Sequence, residues 1–200
     1  DEEDGMVLDK GDILWLGLDD EKEKNLLSLS AEGGKRRKTW KDDVERMNEA
    51  LSKEGITSAI LEIYSPPRVD AIARMWNLLP GWSLDLTRVD EDDGKPWDFN
   101  DQGKRDKAEM MIKDKSAMLL IGSPMCSAFS QLQSLNRNKI GERRYWEKVN
   151  EALVHVRFCA KLYRMQMDNG LYFLHEHPSG AKSWNEDAIG QLLRNDKVYN

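Results

Sequence analysis

Residues 117–130, AMLLIGSPMCSAFS, join a short apolar run to an abrupt turn and then to a cysteine. An uninterrupted apolar run of this length, closed by turn-forming residues, is typical of a strand buried on both faces of a parallel sheet. Gly122, Ser123 and Pro124 end the run, because glycine and proline favour turns. The stretch therefore predicts a buried strand over Ala117 to Ile121 and a tight loop that carries Cys126 beyond its carboxyl end.

Short apolar runs alternate with helical patterns on both sides of this strand. From Glu142 to Asp168, apolar residues recur three and four positions apart, which places them on one helical face. We predict strands at 58–64, 82–86, 97–99, 117–121 and 171–174, and helices at 40–53, 69–79, 101–113, 142–168 and 188–194. This alternation predicts an α/β domain built on a mostly parallel sheet flanked by helices.

Residues 1–39 show no sustained periodicity. They mix charged residues with glycine and serine around one apolar patch, Ile13 to Leu16. Such a composition predicts a flexible charged arm at 1–39, followed by one folded domain at 40–200. The chain starts at Asp1 and stops at Asn200 without an evident terminating feature, so we expect it to be a segment of a longer protein.

The chain carries a formal net charge of −6. Because lysine and arginine supply most non-specific affinity for nucleic acid by neutralising phosphates, this charge argues against a general nucleic-acid clamp. Local basic patches remain at Lys35 to Lys38 and in the scatter Arg137, Lys139, Arg143 and Arg144. Each patch is either a solvated surface or a contact to DNA.

The apolar runs are far too short to cross a bilayer, and no signal segment opens the chain, so we predict no membrane partner. Two cysteines, Cys126 and Cys159, carry no sign of a disulfide framework in a chain of this length. A reducing location inside the cell, nuclear or cytoplasmic, is the expectation.

Polar and chemically reactive side chains cluster where the predicted strands end. In doubly wound sheets the ligand binds beyond the carboxyl ends of the strands. Those ends carry Ile63, Tyr64 and Ser65; then Asp85; then Asp98 and Phe99; then Ser123, Pro124 and Cys126; and finally His175, Glu176 and His177. This edge of the sheet is the predicted functional site.

Cys126 is a candidate nucleophile because it lies in a tight turn just past a strand end. Nearby positive charge or backbone N–H groups favour the thiolate, which is a good nucleophile for covalent catalysis. The alternative is a small buried apolar residue, the usual role of a free cysteine. That second role is what we predict for Cys159, which lies on the apolar face of the long helix.

The cluster His175, Glu176 and His177 offers either proton transfer, metal binding or a plain structural loop. Side chains alternate along a strand, so both histidines can share one face while Glu176 points away. No further cluster of cysteine or histidine completes a metal site, and we predict none. Asp85 and Asp98 are either acceptors for ribose hydroxyls and an adenine amino group, or turn residues.

The segment from Gly122 to Ser130 resembles the nucleophile segment Gly-Gly-Pro-Pro-Cys-Gln-x-Phe-Ser of the DNA cytosine-C5 methyltransferases. Glu176-His177-Pro178 resembles that family's next catalytic segment, Glu-Asn-Val or Glu-Asn-Pro. The resemblance spans roughly Ser58 to Ser183. A closer likeness is to methyltransferase-like domains embedded in transposable-element polyproteins of protists, which carry strings similar to residues 65–68 (SPPR) and 173–178 (FLHEHP) in the same order.

The resemblance implies a Rossmann-like fold of the class I methyltransferase type, truncated at its C-terminal side. It implies that the Cys126 thiolate adds to C6 of a flipped cytosine, with Glu176 bound to the ring, and that Ser123 and Pro124 belong to the same catalytic segment. S-adenosylmethionine is the implied methyl donor, and DNA and other segments of a parent polyprotein are the implied partners. The implied cofactor contacts are Asp85 for the ribose, Asp98 and Phe99 for the adenine, and Ile63, Tyr64 and Ser65 for the methionine end.

The sequence departs from the family pattern at two places. Where the family has a glycine-rich cofactor loop, this chain has Pro66 and Pro67, which fix φ and lack N–H donors. Between the second and third predicted strands there is an acidic loop, Arg88 to Pro96, in place of a helix. Three alternatives therefore stand: a methyltransferase, a non-catalytic nucleic-acid-binding or assembly module of the same fold, and a different hydrolytic or metal-assisted enzyme. The last would use His175, Glu176, His177 and the aspartates.

Overall fold

The computed structural model describes residues 13–16, 40–114, 116–130 and 137–199. Within them, one six-stranded sheet comprises β1 (Ile13–Leu16), β2 (Ser58–Ile63), β3 (Trp82–Leu84), β4 (Ala117–Gly122), β5 (Tyr172–Glu176) and β6 (Val198–Tyr199). The helices are α1 (Trp40–Lys53), α2 (Val69–Met75), α3 (Gln102–Asp114), α4 (Glu142–Asp168) and α5 (Asp187–Leu193), with 3-10 turns at Ser127–Phe129 and Lys182–Asn185.

The strand order is β3-β2-β4-β5-β1-β6. Strands β3, β2, β4 and β5 are mutually parallel, whereas β1 is antiparallel to both β5 and β6. Ile63 pairs with Gly122, and Gly122 pairs with His175, so β2, β4 and β5 end at the same level. The predicted α/β class with a mostly parallel sheet is confirmed, and the architecture is Rossmann-like.

The core forms where the buried strands meet the long helix α4. All six residues of β2 are buried, as expected of a strand covered on both faces. Helix α4 begins after Gly141, whose φ of 82° suits glycine, and it covers the predicted span Glu142–Asp168. Its apolar face includes the buried Val156, Leu162 and Tyr163, which pack in the same cluster as Leu61 of β2. Among the described residues, no helix is both long enough and apolar enough to cross a membrane.

The strand predicted at 97–99 does not form. Trp97 and Phe99 are both buried, and the Asp98 carboxylate accepts a hydrogen bond from the Asn100 backbone N–H at 2.9 Å. This turn within the segment bends the chain into α3 and prevents extended pairing. The sheet therefore ends at β3, and the acidic loop between β3 and α3 contains no helix, as predicted.

A buried ion cluster holds the acidic loop against α3. Lys104 Nζ lies 2.5 Å from Asp90 Oδ2, and Lys107 donates to the other oxygen of the same carboxylate. Burial opposes ionisation of Asp90, but the hydrogen bonds from both lysines outweigh it and lower the Asp90 pKa to about 2. Lys104 also lies 5.0 Å from the centre of the Trp97 ring. In this chain, a cluster of paired charges rather than a helix therefore holds the loop between β3 and α3 in place.

The predicted arm at 1–39 contains a strand that the sequence reasoning did not expect. Ile13–Leu16 pairs with β5, with Ile13 opposite Glu176. Four residues are too few to show a period, and the partner that orders them lies far away in sequence. The rest of the predicted arm, including the basic run Lys35 to Lys38, lies outside the described residues.

Other predicted boundaries moved by a few residues. The helix predicted at 69–79 ends at Met75, because Asn77 adopts a left-handed φ of 58° and stops it. The last predicted strand starts at Tyr172 and continues to Glu176 rather than ending at Leu174. The extension is stabilised by pairing with β4 and β1 on its two sides.

Candidate functional site

The loops that follow the parallel strands surround a small cavity at the carboxyl edge of the sheet. Its volume is about 150 Å³. The predicted cofactor residues Tyr64, Asp85, Asp98 and Phe99 line it, and so does Ser123 from the loop after β4. The tertiary structure thus brings together residues from the segments that follow β2, β3 and β4. Asn100, His155 and Met125 complete much of the remaining wall.

The other two residues predicted to contact the cofactor lie away from this cavity. Ile63 is fully buried in the core. Ser65 is nearly buried, and its hydroxyl donates to the Pro66 carbonyl oxygen at 2.9 Å, with Glu62 Oε1 3.3 Å away. Neither residue therefore belongs to the lining of this cavity.

Glu62 occupies the backbone amides that follow β2. It is 1% exposed, and its Oε2 accepts hydrogen bonds from the backbone N–H groups of Arg68 and Asp70 at 3.0 and 2.9 Å. A buried carboxylate is stable only when its oxygens are bonded in this way. The N–H groups that a nucleotide-binding loop offers to its ligand are therefore satisfied here by the chain itself. The available signal was a glutamate inside the otherwise apolar run of β2.

Tyr64 takes the position directly beyond the end of β2. Its φ of 63° lies in the left-handed region, which costs a non-glycine residue about 1–2 kcal/mol. The ring packs against Phe99, with ring centres 4.8 Å apart, and the hydroxyl lies 2.9 Å from Nδ1 of His155. Burial raises the pKa of Tyr64, which keeps the hydroxyl protonated and able to donate.

These groups form one chain of hydrogen bonds across the cavity wall. The Asn100 amide donates to Asp98 at 2.9 Å, so its carbonyl oxygen faces His155 Nε2 at 3.2 Å and accepts from it. Because Nε2 carries the proton, Nδ1 accepts from the Tyr64 hydroxyl. Burial, together with the charge of Arg105, lowers the pKa of His155 and favours this neutral ring. Sequence reasoning missed His155, which lies on the buried face of α4 without any motif to mark it.

Asp85 is a turn residue as well as a cavity residue. Its Oδ1 accepts hydrogen bonds from the backbone N–H and the hydroxyl of Thr87, at 2.9 and 2.7 Å. These bonds fix the carboxylate at the rim of the cavity. Asp85 can therefore act as a turn residue and still offer an acceptor to a ligand in the cavity.

Cys126 lies in a loop that is tethered at several points. The Ser123 backbone N–H donates to the Ile63 carbonyl at 3.1 Å, and the Phe129 N–H donates to the Cys126 carbonyl at 2.9 Å. Phe129 is buried and anchors the turn, whereas Cys126 is half-buried. Met125 lines both the small cavity and a neighbouring cavity of about 300 Å³, whose wall includes Ser127 and Lys148.

The second cysteine has no such access. Cys159 is fully buried in the core, as predicted, and burial raises the pKa of its thiol to about 12. It is therefore an inert core residue at neutral pH. Cys126, by contrast, is only partly buried.

The end of β5 presents its side chains alternately to opposite faces. His175 and His177 are buried, at 0% and 1% exposure, while Glu176 between them is exposed. The two imidazole ring centres lie 5.2 Å apart. The predicted arrangement, with both histidines on one face and Glu176 on the other, is confirmed. Because His175 pairs with Gly122, Glu176 lies at the sheet edge beside the loop that carries Cys126.

Both histidines are bonded to neighbouring oxygens. His177 lies with Nε2 3.0 Å from the Pro124 carbonyl oxygen, and its Nδ1 is bonded to the Ser183 hydroxyl. His175 Nδ1 lies 2.9 Å from the Tyr163 hydroxyl. Burial lowers the pKa of both rings, that of His175 to about 3 with a contribution from His177. Within the described residues, no group of three or more histidine, cysteine, aspartate or glutamate side chains is arranged to hold a metal ion.

The predicted basic scatter lies at the start of α4. Arg137 pairs with Glu142 and stacks over the rings of Tyr145 and Trp146, with its guanidinium carbon 5.6 and 5.5 Å from their centres. Arg143 pairs with Glu147 at 3.2 Å. Lys139 and Arg144 are exposed. Glutamates thus offset part of this positive charge.

The fold and the site together define a class, a Rossmann-like α/β domain with a polar site at the carboxyl edge of its parallel strands. No protein-family model, no curated protein and no solved structure matches the chain.

Proposed function

We propose that this chain is a DNA cytosine-C5 methyltransferase-like domain, in which Cys126 is the covalent nucleophile and Glu176 its partner. The observation that carries the proposal is their placement at adjacent strand ends: the half-buried Cys126 in the loop after β4 and the exposed Glu176 at the end of β5. The other thiol is inaccessible in the core. DNA as substrate implies a nuclear or cytoplasmic location, and the likeness to mobile-element polyproteins implies other segments of a parent chain as partners.

The proposed chemistry begins with an extruded cytosine, because a base inside a duplex cannot be reached. The Cys126 thiolate adds to C6 while Glu176 binds the ring at N3 and at the exocyclic amine. Addition makes C5 nucleophilic, so that C5 can take a proton from water. Loss of a C5 proton to a base then allows the thiolate to leave and restores the aromatic ring.

Local positive charge supports a nucleic-acid substrate despite the net charge of −6. Lys148 lines the 300 Å³ cavity together with Ser127, the residue after Cys126. Lys139, just before α4, and Arg144, in its first turn, are exposed. Lys148 is thus a cation beside the Cys126 loop that could bind a phosphate, while Glu151 in the same lining offsets part of its charge.

S-adenosylmethionine, the methyl donor that the family resemblance implies, does not fit the site as it stands. Asp85, Asp98 and Phe99 surround a cavity of about 150 Å³, below the roughly 300–1,000 Å³ of ordinary small-molecule pockets. Tyr64 fills the space beyond β2, and Glu62 occupies the backbone amides there. This observation favours the second candidate function, a catalytically degenerate nucleic-acid-binding or assembly module of the same fold.

Release of tritium from an oligonucleotide containing [5-³H]cytosine tests the thiol chemistry without any methyl donor. Addition at C6 followed by C5 protonation and elimination exchanges the C5 hydrogen with water. We expect measurable release by the wild-type protein and a loss of about 100-fold or more in Cys126→Ala, because removal of a covalent nucleophile abolishes the step.

Cys159→Ala is the matched control, since it removes the buried thiol and leaves the proposed nucleophile in place. It should retain the wild-type rate. Equal rates in the wild-type and Cys126→Ala proteins would rule out the covalent step.

Calorimetric titration with S-adenosylmethionine separates the two candidate functions. We expect no saturable binding to the wild-type protein, because the cavity is small and Glu62 already accepts hydrogen bonds from the backbone amides after β2. Tyr64→Gly removes the ring and suits the left-handed φ, so it is expected to be tolerated and to enlarge the cavity. Tight wild-type binding that is lost in Asp85→Ala would instead show that Tyr64 moves aside and that the methyltransferase site is complete.

A further inference from the structure

The loop between β4 and its 3-10 turn is bonded to the end of β5 through one imidazole ring. His177 Nε2 lies 3.0 Å from the Pro124 carbonyl oxygen, two residues before Cys126. On the other side of the ring, Nδ1 is bonded to the Ser183 hydroxyl in the 3-10 turn Lys182–Asn185. Ring, carbonyl and hydroxyl are all removed from solvent, with His177 and Ser183 each 1% exposed.

The chemistry of the partners assigns the proton on this ring. A carbonyl oxygen can only accept, so His177 Nε2 must carry the hydrogen that points at Pro124. In a neutral imidazole Nδ1 is then an acceptor, and the Ser183 hydroxyl donates to it. Burial lowers the pKa of His177, in agreement with a neutral ring. The Pro124 carbonyl therefore selects this tautomer, and the Ser183 hydroxyl, which can donate or accept, completes the hydrogen bonding of the neutral ring.

The position of His177 gives this bond a consequence for the site. His177 directly follows Glu176, the last residue of β5 and the proposed partner of the cytosine ring. The residue next to Glu176 therefore also holds the segment that carries Cys126. Phe129, which ends the Cys126 turn, packs near the same ring with centres 5.9 Å apart. One buried ring thus links the residue after Glu176 to the segment that precedes Cys126.

We propose that His177 is the positioning residue of the Cys126 loop, and that its Nε2–H holds the Pro124 carbonyl so that the half-buried thiol faces the base held by Glu176. This inference rests on the proposed function for the identity of the substrate. The restraint on the loop itself is a property of the unliganded protein and is measured there.

The first measurement is the rate at which iodoacetamide alkylates Cys126, followed by peptide mass spectrometry across the titration range of the thiol. His177→Phe keeps an aromatic ring but removes the donor. We expect it to raise the plateau rate about fivefold or more, because one lost hydrogen bond frees a half-buried segment to open. His177→Gln retains an N–H donor and is expected to stay within about twofold of wild type.

Cys159 reports on folding in the same samples, since it is fully buried and should remain unmodified. Should His177→Phe unfold and expose Cys159, Ser183→Ala decides the question. That variant leaves the ring in place and removes only the hydrogen bond to Nδ1, which holds the ring in its orientation toward Pro124. A rise of about two- to threefold in the alkylation rate of Cys126, with Cys159 still unmodified, supports the proposal. An unchanged rate overturns it.

The result that overturns the positioning role is a folded His177→Phe protein whose Cys126 reacts at the wild-type rate, or a His177→Gln protein that behaves like His177→Phe. The tritium assay measures the same effect in the presence of substrate. His177→Phe should lower the rate of tritium release about tenfold, and His177→Gln should restore it. An altered alkylation rate without any tritium release in the wild type leaves the loop restraint standing and removes the proposed function. The two failures are therefore distinguishable.

Discussion

Replacement of Gly122 by alanine is expected to destabilise the domain by about 3 kcal/mol or more, because the added methyl group has no space. A Cβ at this position would lie 2.0 Å from the Tyr163 hydroxyl oxygen and 2.9 Å from the ring carbon that bears it. Tyr163 cannot yield, since it is fully buried and stacks on Phe173 with ring centres 4.5 Å apart. For a chain of this length the loss corresponds to a fall of about 6–12 °C in Tm.

Gly190→Ala is the matched control for this experiment. Gly190 lies in α5, where an added Cβ meets no atom within 4 Å, so alanine should be neutral or stabilise by up to about 1 kcal/mol. Urea unfolding of both variants measures the difference. Equal stability of the two variants would show that Tyr163 does not lie under the end of β4, and that the hydrogen bond from Tyr163 to the Gly122 carbonyl is absent.

Acidification from neutral pH to pH 5 is expected to cost about 2 kcal/mol of stability through His175 alone. All three histidines of the chain are buried, and burial lowers the pKa of each. The pKa of His175 falls from 6.5 to about 3. Between those values the unfolded chain binds the proton and the folded protein does not, so stability decreases as the pH falls through 6.5.

Urea unfolding between pH 7 and pH 5 measures this dependence, above the range in which carboxylates dominate. The pKa values of His155 and His177 are lowered as well, so both histidines should steepen the dependence of stability on pH. His175→Phe removes one titrating ring and should reduce the slope by up to about 1.4 kcal/mol per pH unit, whatever its effect at neutral pH. A wild-type stability that stays constant over this interval would mean that the histidines are accessible to protons in the folded state.

The parallel strands of the fold were predictable because each is an apolar run bounded by turn residues. Strand β4 and helix α4 follow the predicted spans closely, since their apolar residues have one dominant period and sharp glycine boundaries. The strand predicted at 97–99 was wrong. Aromatic residues on both sides of an aspartate are typical of a strand, but the Asp98 side chain accepts a hydrogen bond from the following turn instead. Strand β1 was not predicted because it forms by pairing with β5, and a local sequence pattern does not report a partner so distant in the chain.

The candidate site was predictable to the extent that strand ends mark it. Tyr64, Asp85, Asp98, Phe99 and Ser123 do line one cavity, because parallel strands in register deliver their following loops to one edge. Glu62, His155 and Ser183 were missed, since each acts through a partner that is distant in sequence or hidden within an element. A buried polar side chain carries no periodic signal of its own.

The sequence by itself determined the α/β class, the position of Cys126 past a buried strand, and the alternation that buries His175 and His177 while exposing Glu176. These are consequences of local periodicity and turn chemistry, which act over a few residues. Only the tertiary structure decided that Tyr64 bonds to His155, that Glu62 accepts from the backbone amides after β2, and that His177 bonds to the Cys126 loop. Those outcomes depend on which buried polar atoms meet across strands and helices, and that is set by packing of the whole chain.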